Sequence, residues 1–209
     1  MISARNDGPR VVKFVVGPLC TNCYLVHEDG PGKGILIDPG ANDRGITEYI
    51  RDSGIDVLWT VNTHGHADHI SANGVFGFPV LIHELDEPCL RDASRSLSFF
   101  LAGTMLKVKA RRLLADGDII RAGSLEFTVI HTPGHTPGSV SLSCNGVLFS
   151  GDTLFFEGVG RTDLAGGDHA ALLKSIREKL LALPDTVKVY PGHGPETTIG
   201  HERRNNPYI

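Results

Sequence analysis

The chain has 209 residues, a formal net charge of −4, 41% hydrophobic residues and 21% charged residues. That length and composition predict one globular domain with its own core, spanning 1–209. The negative balance argues against a nucleic-acid partner, and no apolar run reaches the roughly 20 residues of a membrane-spanning helix.

In chain order, Val11–Val16 and Cys23–His27 are β-rich runs around Gly17-Pro18, and Gly34–Asp38 is a short apolar strand ending at Pro39-Gly40. Asn42 or Asp43 can cap a helix with Ile46, Tyr49 and Ile50 on one face, closed by Gly54. Val57–Asn62 reads as a buried strand, followed by a turn over Thr63–Gly65 and a helix starting near Asp68. Pro79–His83 is another strand, and Glu84–Leu114 is expected to hold one helix and a loop. Within that stretch Lys107, Lys109, Arg111 and Arg112 read as a solvated face. Leu97–Leu106, with Phe99, Phe100, Leu101 and Met105, reads either as core or as a lid over a site.

Strands return at Ile119-Ile120, Leu125–Ile130, Ser139–Cys144 and Val147–Ser150. Asp168 can cap a helix with Leu172, Leu173, Ile176 and Leu180 inward, stopped by Pro184. Val187–Tyr190 is a last strand and Glu196–Arg204 a closing helix. Runs of strands with interspersed helices predict an α/β fold of sheets covered by helices.

The polar segment Met1–Arg10 has no apolar export core, and Cys20, Cys23, Cys89 and Cys144 are too few and scattered for a disulfide framework. A cytoplasmic, reducing location is expected. Cys20-Thr-Asn-Cys23 has redox spacing, but its flanks read as strands and no second pair completes a zinc site, which leaves ordinary thiols in a hairpin.

The chemistry concentrates in Thr63-His-Gly-His-Ala-Asp-His69. In an extended segment His64 and His66 point the same way and can share one metal ion. Asp68 and His69, at the start of a helix, point elsewhere and suit a second ion about 3.5–4 Å away. Four potential ligands in six residues exceed the three that a mononuclear catalytic site needs. His135, Asp152 and His193 each follow a strand beside glycine and can complete the set, with the two oxygens of Asp152 able to bridge. His131 reads as a strand-end residue, and His27, His83, His169 and His201 as surface or satisfied histidines. Asp38 ends a buried strand and needs a partner. It either orients a ligand histidine or closes a plain Asp-Pro-Gly turn.

With Thr63–His69, His131-Thr-Pro-Gly-His135, Ser150-Gly-Asp152 and Gly192-His193-Gly194, the chain resembles the metallo-β-lactamase superfamily over essentially its whole length. The resemblance implies a four-layer αββα sandwich with two divalent metals, zinc foremost and iron or manganese as alternatives, at one edge. It implies His64, His66 and His135 on the first ion, Asp68, His69 and His193 on the second, and Asp152 bridging. Asp68 would also aim the attacking hydroxide.

Pro18-Leu-Cys-Thr-Asn22-Cys23-Tyr24, Gly158-Val-Gly-Arg161-Thr-Asp163 and the ending from Gly192 to Pro207 are similar to the glyoxalase II group. That likeness implies hydrolysis of S-acyl-glutathione thioesters, notably S-lactoylglutathione, with Arg161 at a basic glutathione-contacting position. Full-length members of that group carry a C-terminal helical domain, whereas about 16 residues follow His193, and Pro195 replaces a tyrosine of that group. A short form acting on a small-molecule thioester, with no nucleic acid or membrane partner, is therefore expected; oligomeric state is left open. The alternative is a persulfide dioxygenase of the same superfamily, with one iron on two histidines and an aspartate, suggested by Gly160-Arg-Thr-Asp163.

Overall fold

The clearest local rule in the chain is alternation. Along Leu125–His131, Leu125, Phe127 and Val129 are buried while Glu126 and Thr128 are exposed, as a strand with one covered face requires. The computed structural model describes residues 8–98 and 107–209. The lid segment's Phe99, Phe100, Leu101 and Met105 lie outside the described residues.

Among the described residues, two six-stranded mixed sheets face each other. The first is ordered β1 (Arg10–Val16), β2 (Thr21–His27), β3 (Lys33–Ile37), β4 (Asp56–Val61), β5 (Val80–His83), β6 (Arg112–Leu114). The second runs β14 (Thr197–Thr198), β13 (Lys188–Pro191), β10 (Val147–Gly151), β9 (Val140–Cys144), β8 (Leu125–His131), β7 (Ile119–Ala122). Tyr24, Ile35, Ile37 and Val61 of the first sheet meet Phe127, Val129, Leu142 and Phe149 of the second in the main core.

Helices cover both outer faces. α1 (Arg44–Ser53) is capped by Asp43, whose side chain accepts the Gly45 N–H, and ends at Gly54 in the left-handed conformation. Its Ile46 is fully buried against Leu25, Leu36 and Val57, contributing about 1.5–3 kcal/mol. On the other face, α4 (His169–Ser175) continues as a π-helical turn over Ile176–Leu180, beside α5 (Ile199–Asn205). Leu172, Ile176, Leu180 and Ile199 pack there on Leu148 and Val189. The order helix, sheet, sheet, helix is the expected αββα sandwich. No helix among the described residues is long and apolar enough to cross a membrane.

Three readings need correction. Glu84–Leu114 holds, among its described residues, a 3₁₀ turn at Glu87–Leu90 and the edge strand β6, not a full helix. Leu113 of β6 is exposed, so the three-residue strand shows no readable alternation. The closing helix begins at Ile199, because Thr197–Thr198 pairs with β13 and Thr198 caps α5. A short hairpin, β11 (Leu154–Phe155) with β12 (Gly158–Val159), was not anticipated.

Two contacts tie the layers. Glu28, at the far end of β2, accepts the Lys33 N–H at 2.9 Å and both the N–H and hydroxyl of Ser124 at 2.7 Å. Ser124 sits in the turn joining β7 and β8 of the other sheet, so this carboxylate latches sheet to sheet. Glu202 of α5 is fully buried and accepts the Glu157 N–H at 2.9 Å, while Asn206 donates to Gly158 O at 3.0 Å. The hairpin therefore hangs from the C-terminal helix.

Candidate metal centre

Strand direction gathers the candidate ligands. β3, β4 and β5 are parallel, as are β10 and β13, while β8 runs with β10 across an intervening antiparallel strand. Asp38, Thr63–His69, His135, Asp152 and His193 all follow C-terminal ends of these strands. The start of antiparallel β2 reaches the same edge, where Thr21 bridges His193. α2 (Ala67–Ile70), followed by the single turn α3 (Asn73–Phe76), turns Asp68 and His69 away from the extended His64–His66 segment.

The seven residues converge. His64, His66 and His135 bring donor atoms within 4.8 Å of one another, as do His64, His69 and Asp152, and Asp68, His69 and His193. His66 Nδ1 and His135 Nε2 face each other at 2.9 Å. Asp68 Oδ2 lies 3.5 Å from His69 Nε2 and 3.2 Å from His193 Nε2. Asp152 Oδ1 lies 3.4 Å from His69 Nε2, and its Oδ2 lies 3.6 Å from both His135 Nε2 and His193 Nε2. A tetrahedral shell with bonds of about 2.0–2.1 Å spaces neighbouring donors about 3.3 Å apart.

The back of each ring fixes its proton. His69 Nδ1 donates to Asp38 Oδ2 at 3.0 Å, and His135 Nδ1 donates to the Arg161 carbonyl at 2.7 Å. The Thr63 hydroxyl gives its proton to Asp38 Oδ2 at 2.6 Å, so at 3.2 Å it accepts from His64 Nδ1. Each Nε2 then turns a lone pair inward. His64 Nε2, His69 Nε2 and Asp152 Oδ1 are buried with no hydrogen-bond partner. Three orphaned buried acceptors facing one another are costly unless cations satisfy them, so the donor set fits divalent ions.

Protonation follows the same crowding. Burial first, then the neighbouring histidines, hold His64 well below its ordinary range; burial and His135 push His66 down to about 4. Burial also pushes His69 down, but Asp68, Asp152 and Asp38 outweigh it and lift the ring to about 10 while no cation shares the site; an ion among the same carboxylates would displace the Nε2 proton and leave the lone pair free. Burial raises the Asp68 carboxyl, yet His69 and His193 hold it well below the usual carboxylate range. Burial likewise opposes His193, which Asp68 and Asp152 raise. Gly192 is required by space: a Cβ there would lie 2.1 Å from Asp152 Oδ1.

Sequence reasoning missed three supports. Asp86, buried, accepts the Gly65 N–H at 2.8 Å, the Gly138 N–H at 2.8 Å and the Thr136 hydroxyl at 2.7 Å. It joins the loop of His64 and His66 to the loop of His135. Thr21 donates to Asp68 Oδ2 at 3.0 Å. Asn22 donates to the Pro191 carbonyl at 2.9 Å and the Gly194 carbonyl at 3.0 Å, gripping the His193 loop. Asn22 lies in a quoted motif, whereas Glu84-Leu-Asp86-Glu carries no signal. His131 lies outside the cluster, donating from Nε2 to the Pro137 carbonyl at 2.9 Å and stacking on His83 at 4.2 Å.

A cavity of about 650 Å³ opens above the cluster. His66, Asp68, His135, Asp152 and His193 reach its lining, and Arg161 stands there held by both oxygens of Asp163 at 2.7 Å.

Comparison with known proteins agrees with this geometry. The family model described as the metallo-beta-lactamase superfamily matches residues 16–193. A probable metallo-hydrolase, YqgX of Bacillus subtilis, is 39% identical over 94% of this chain and 96% of its own length. The hydroxyacylglutathione hydrolase GloC of Haemophilus influenzae is 34% identical over 90% of this chain and 92% of its own. Among solved structures, the BLEG-1 B3 metallo-beta-lactamase superposes with a TM-score of 0.88 at 38% identity, covering 95% of this chain and 99% of that one. TTHA1623 in a di-iron-bound form gives 0.82 at 37% identity, covering 95% and 100%. With the family model spanning most of its length and its strand-end histidines and aspartates gathered at one edge, the chain belongs to the metallo-β-lactamase superfamily of metallo-hydrolases.

Proposed function

We propose that this chain is a dinuclear-metal thioester hydrolase acting on S-acyl-glutathione or a similar small-molecule thioester, such as S-lactoylglutathione. His64, His66 and His135 would hold one divalent ion, Asp68, His69 and His193 the other, with Asp152 between them. Zinc is the first expectation; iron and manganese accept the same nitrogen and oxygen donors. The observation that carries the reading is the set of orphaned buried acceptors, His64 Nε2, His69 Nε2 and Asp152 Oδ1, beneath a cleft lined by His66, Asp68, His135, Asp152 and His193.

Two ions there would supply Lewis acidity and a water acidified to near-neutral pKa. The chain's own residues do the rest. Asp68 orients the attacking water, and the Thr21 hydroxyl holds its carboxylate in place. Asp38 and the Arg161 carbonyl keep His69 and His135 in one ring orientation. Water adds to the acyl carbon, the C–S bond breaks, and the thiol carrier leaves as thiolate. A thiol of pKa about 8.5 leaves without a dedicated proton donor. Arg161, at the cavity lining, faces the carrier. The 34% identity to a hydroxyacylglutathione hydrolase supports this substrate class.

The test is hydrolysis of S-lactoylglutathione by protein whose metals have been quantified. Turnover with about two ions per chain is the expected result. One iron per chain with oxygen uptake on glutathione persulfide would replace the hydrolase with the dioxygenase.

A further inference from the structure

The cavity wall above the metal cluster is apolar. Leu19 comes from the β1–β2 turn, Leu97 follows the buried Ser96, Phe155 and Val159 come from the β11–β12 hairpin, and Leu164 follows the Arg161 loop. Four of these five side chains are half-buried around a volume of about 650 Å³; Leu19 is exposed. Lining of this kind binds by removing apolar surface from water.

Charge recognition is weak by comparison. Among the described residues lining the cavity, Arg161 carries the one fixed positive charge. Asp163 already takes its Nε and Nη2 protons in a two-point pair, at 2.7 Å each. The Arg161 hydrogen bond in turn holds the Asp163 carboxyl down to about 2. Both side chains are largely exposed, so an incoming carboxylate meets a neutral, solvated pair.

We infer that the cleft selects its substrate by an apolar acyl group and is nearly indifferent to the charges of the thiol carrier. The inference rests on the thioester reading for its catalytic meaning, but the apolar wall is testable without hydrolysis. A longer acyl chain lies against Phe155, Val159 and Leu164, whereas a lactoyl group leaves that wall in contact with water.

Calorimetry on the metal-loaded protein, with S-methyl-, S-butyl- and S-hexyl-glutathione, reads binding with nothing to cleave. Affinity should rise with chain length, by up to about fourfold for each fully buried methylene. Replacing glutathione by neutral N-acetylcysteamine under the same hexyl group should cost less than about fivefold. Leu164→Ser and the near-isosteric Val159→Thr should each flatten the series while leaving metal content unchanged. A flat alkyl series in the parent protein, or a carrier swap costing a hundredfold, overturns the inference. Hydrolysis of acetyl-, hexanoyl- and lactoyl-glutathione, run alongside, separates the two ideas. Equal kcat/KM for all three with a flat binding series removes the acyl preference and keeps the thioesterase. A rising binding series with no thioester cleaved removes the thioesterase and keeps the apolar cleft.

Discussion

The hydroxyl of Thr136 donates to Asp86 Oδ2 at 2.7 Å, across 50 residues of chain. The same oxygen accepts the Gly65 N–H, and the other accepts the Gly138 N–H. One buried carboxylate thus spans the loops of His64, His66 and His135. Asp86→Ala strands three buried donors and should cost about 3–5 kcal/mol in urea unfolding. Asp86→Asn keeps one acceptor and should cost less. In that milder variant, chelator competition should show weakened affinity at the His64–His66–His135 cluster first. Unchanged metal affinity in a folded Asp86→Asn protein would mean that the loops hold their shape without it.

Asp38 acts on the other half of the centre. It takes the His69 Nδ1 proton and both donors of Thr63, whose hydroxyl in turn backs His64. Asp38→Asn presents an amide where two protons arrive. Loss of such support to a ligand histidine typically lowers metal affinity 10–100-fold, about the effect expected here. Metal content after dialysis against graded chelator concentrations measures it; retention equal to the parent protein would show that His69 needs no orienting partner.

Metal removal should loosen the whole edge. One strand-end loop of the first sheet and three of the second meet at the cluster, helped by the Asp86 and Asn22 contacts and the Val140 N–H to Thr63 O bond. An ion at a hundred times its dissociation constant stabilises by about 2.7 kcal/mol, which is roughly 5–10 °C in Tm for a chain of this size. Scanning calorimetry before and after chelation, with metal added back, checks this. A Tm that ignores the chelator would show that the convergent histidines hold nothing.

Glu28 gives a pH signature away from the cluster. The Lys33 N–H, then the hydroxyl and N–H of Ser124, lower its carboxyl from 4.5 to about 2. A depressed carboxyl contributes stability that is present above its unfolded value and lost as pH falls through its folded one. The latch should therefore be intact at pH 7, weaken below about pH 4.5 and be gone near pH 2. It is half-buried at the molecular surface and within reach of solvent screening, so Glu28→Gln should cost under about 1 kcal/mol at pH 7. The gap between parent and variant in denaturant titrations should close on acidification; a gap that widens would assign the latch to other groups.

The metal cluster was legible because its chemistry is dense in sequence. His64, His66, Asp68 and His69 occupy six residues, and the later ligand types sit beside glycine at strand ends. The helix caps Asp43 and Asp168 were legible for a similar reason, since each precedes a periodic apolar face. Asp86 was not, because its meaning arises only when two loops close on it from 21 and 50 residues away. β6 escaped because three edge residues with one buried side chain carry no period. The β11–β12 hairpin is shorter still, and it is held by distant Glu202 and Asn206 as well as by its own pairing and the buried Leu154.

That suspension from α5 gives the cavity wall a second anchor. The histidines and aspartates are fixed to strand ends and to Asp86 and Asn22, while Phe155 and Val159 ride on a hairpin gripped by the C-terminal helix. Changes around Glu202 and Asn206 can retilt the cavity wall, and Phe155, edge-on to the His193 ring at 6.2 Å, carries that tilt toward one ligand histidine. The C-terminal helix is thus a distant lever on the cavity, able to shift its wall through a hairpin that begins two residues after Asp152.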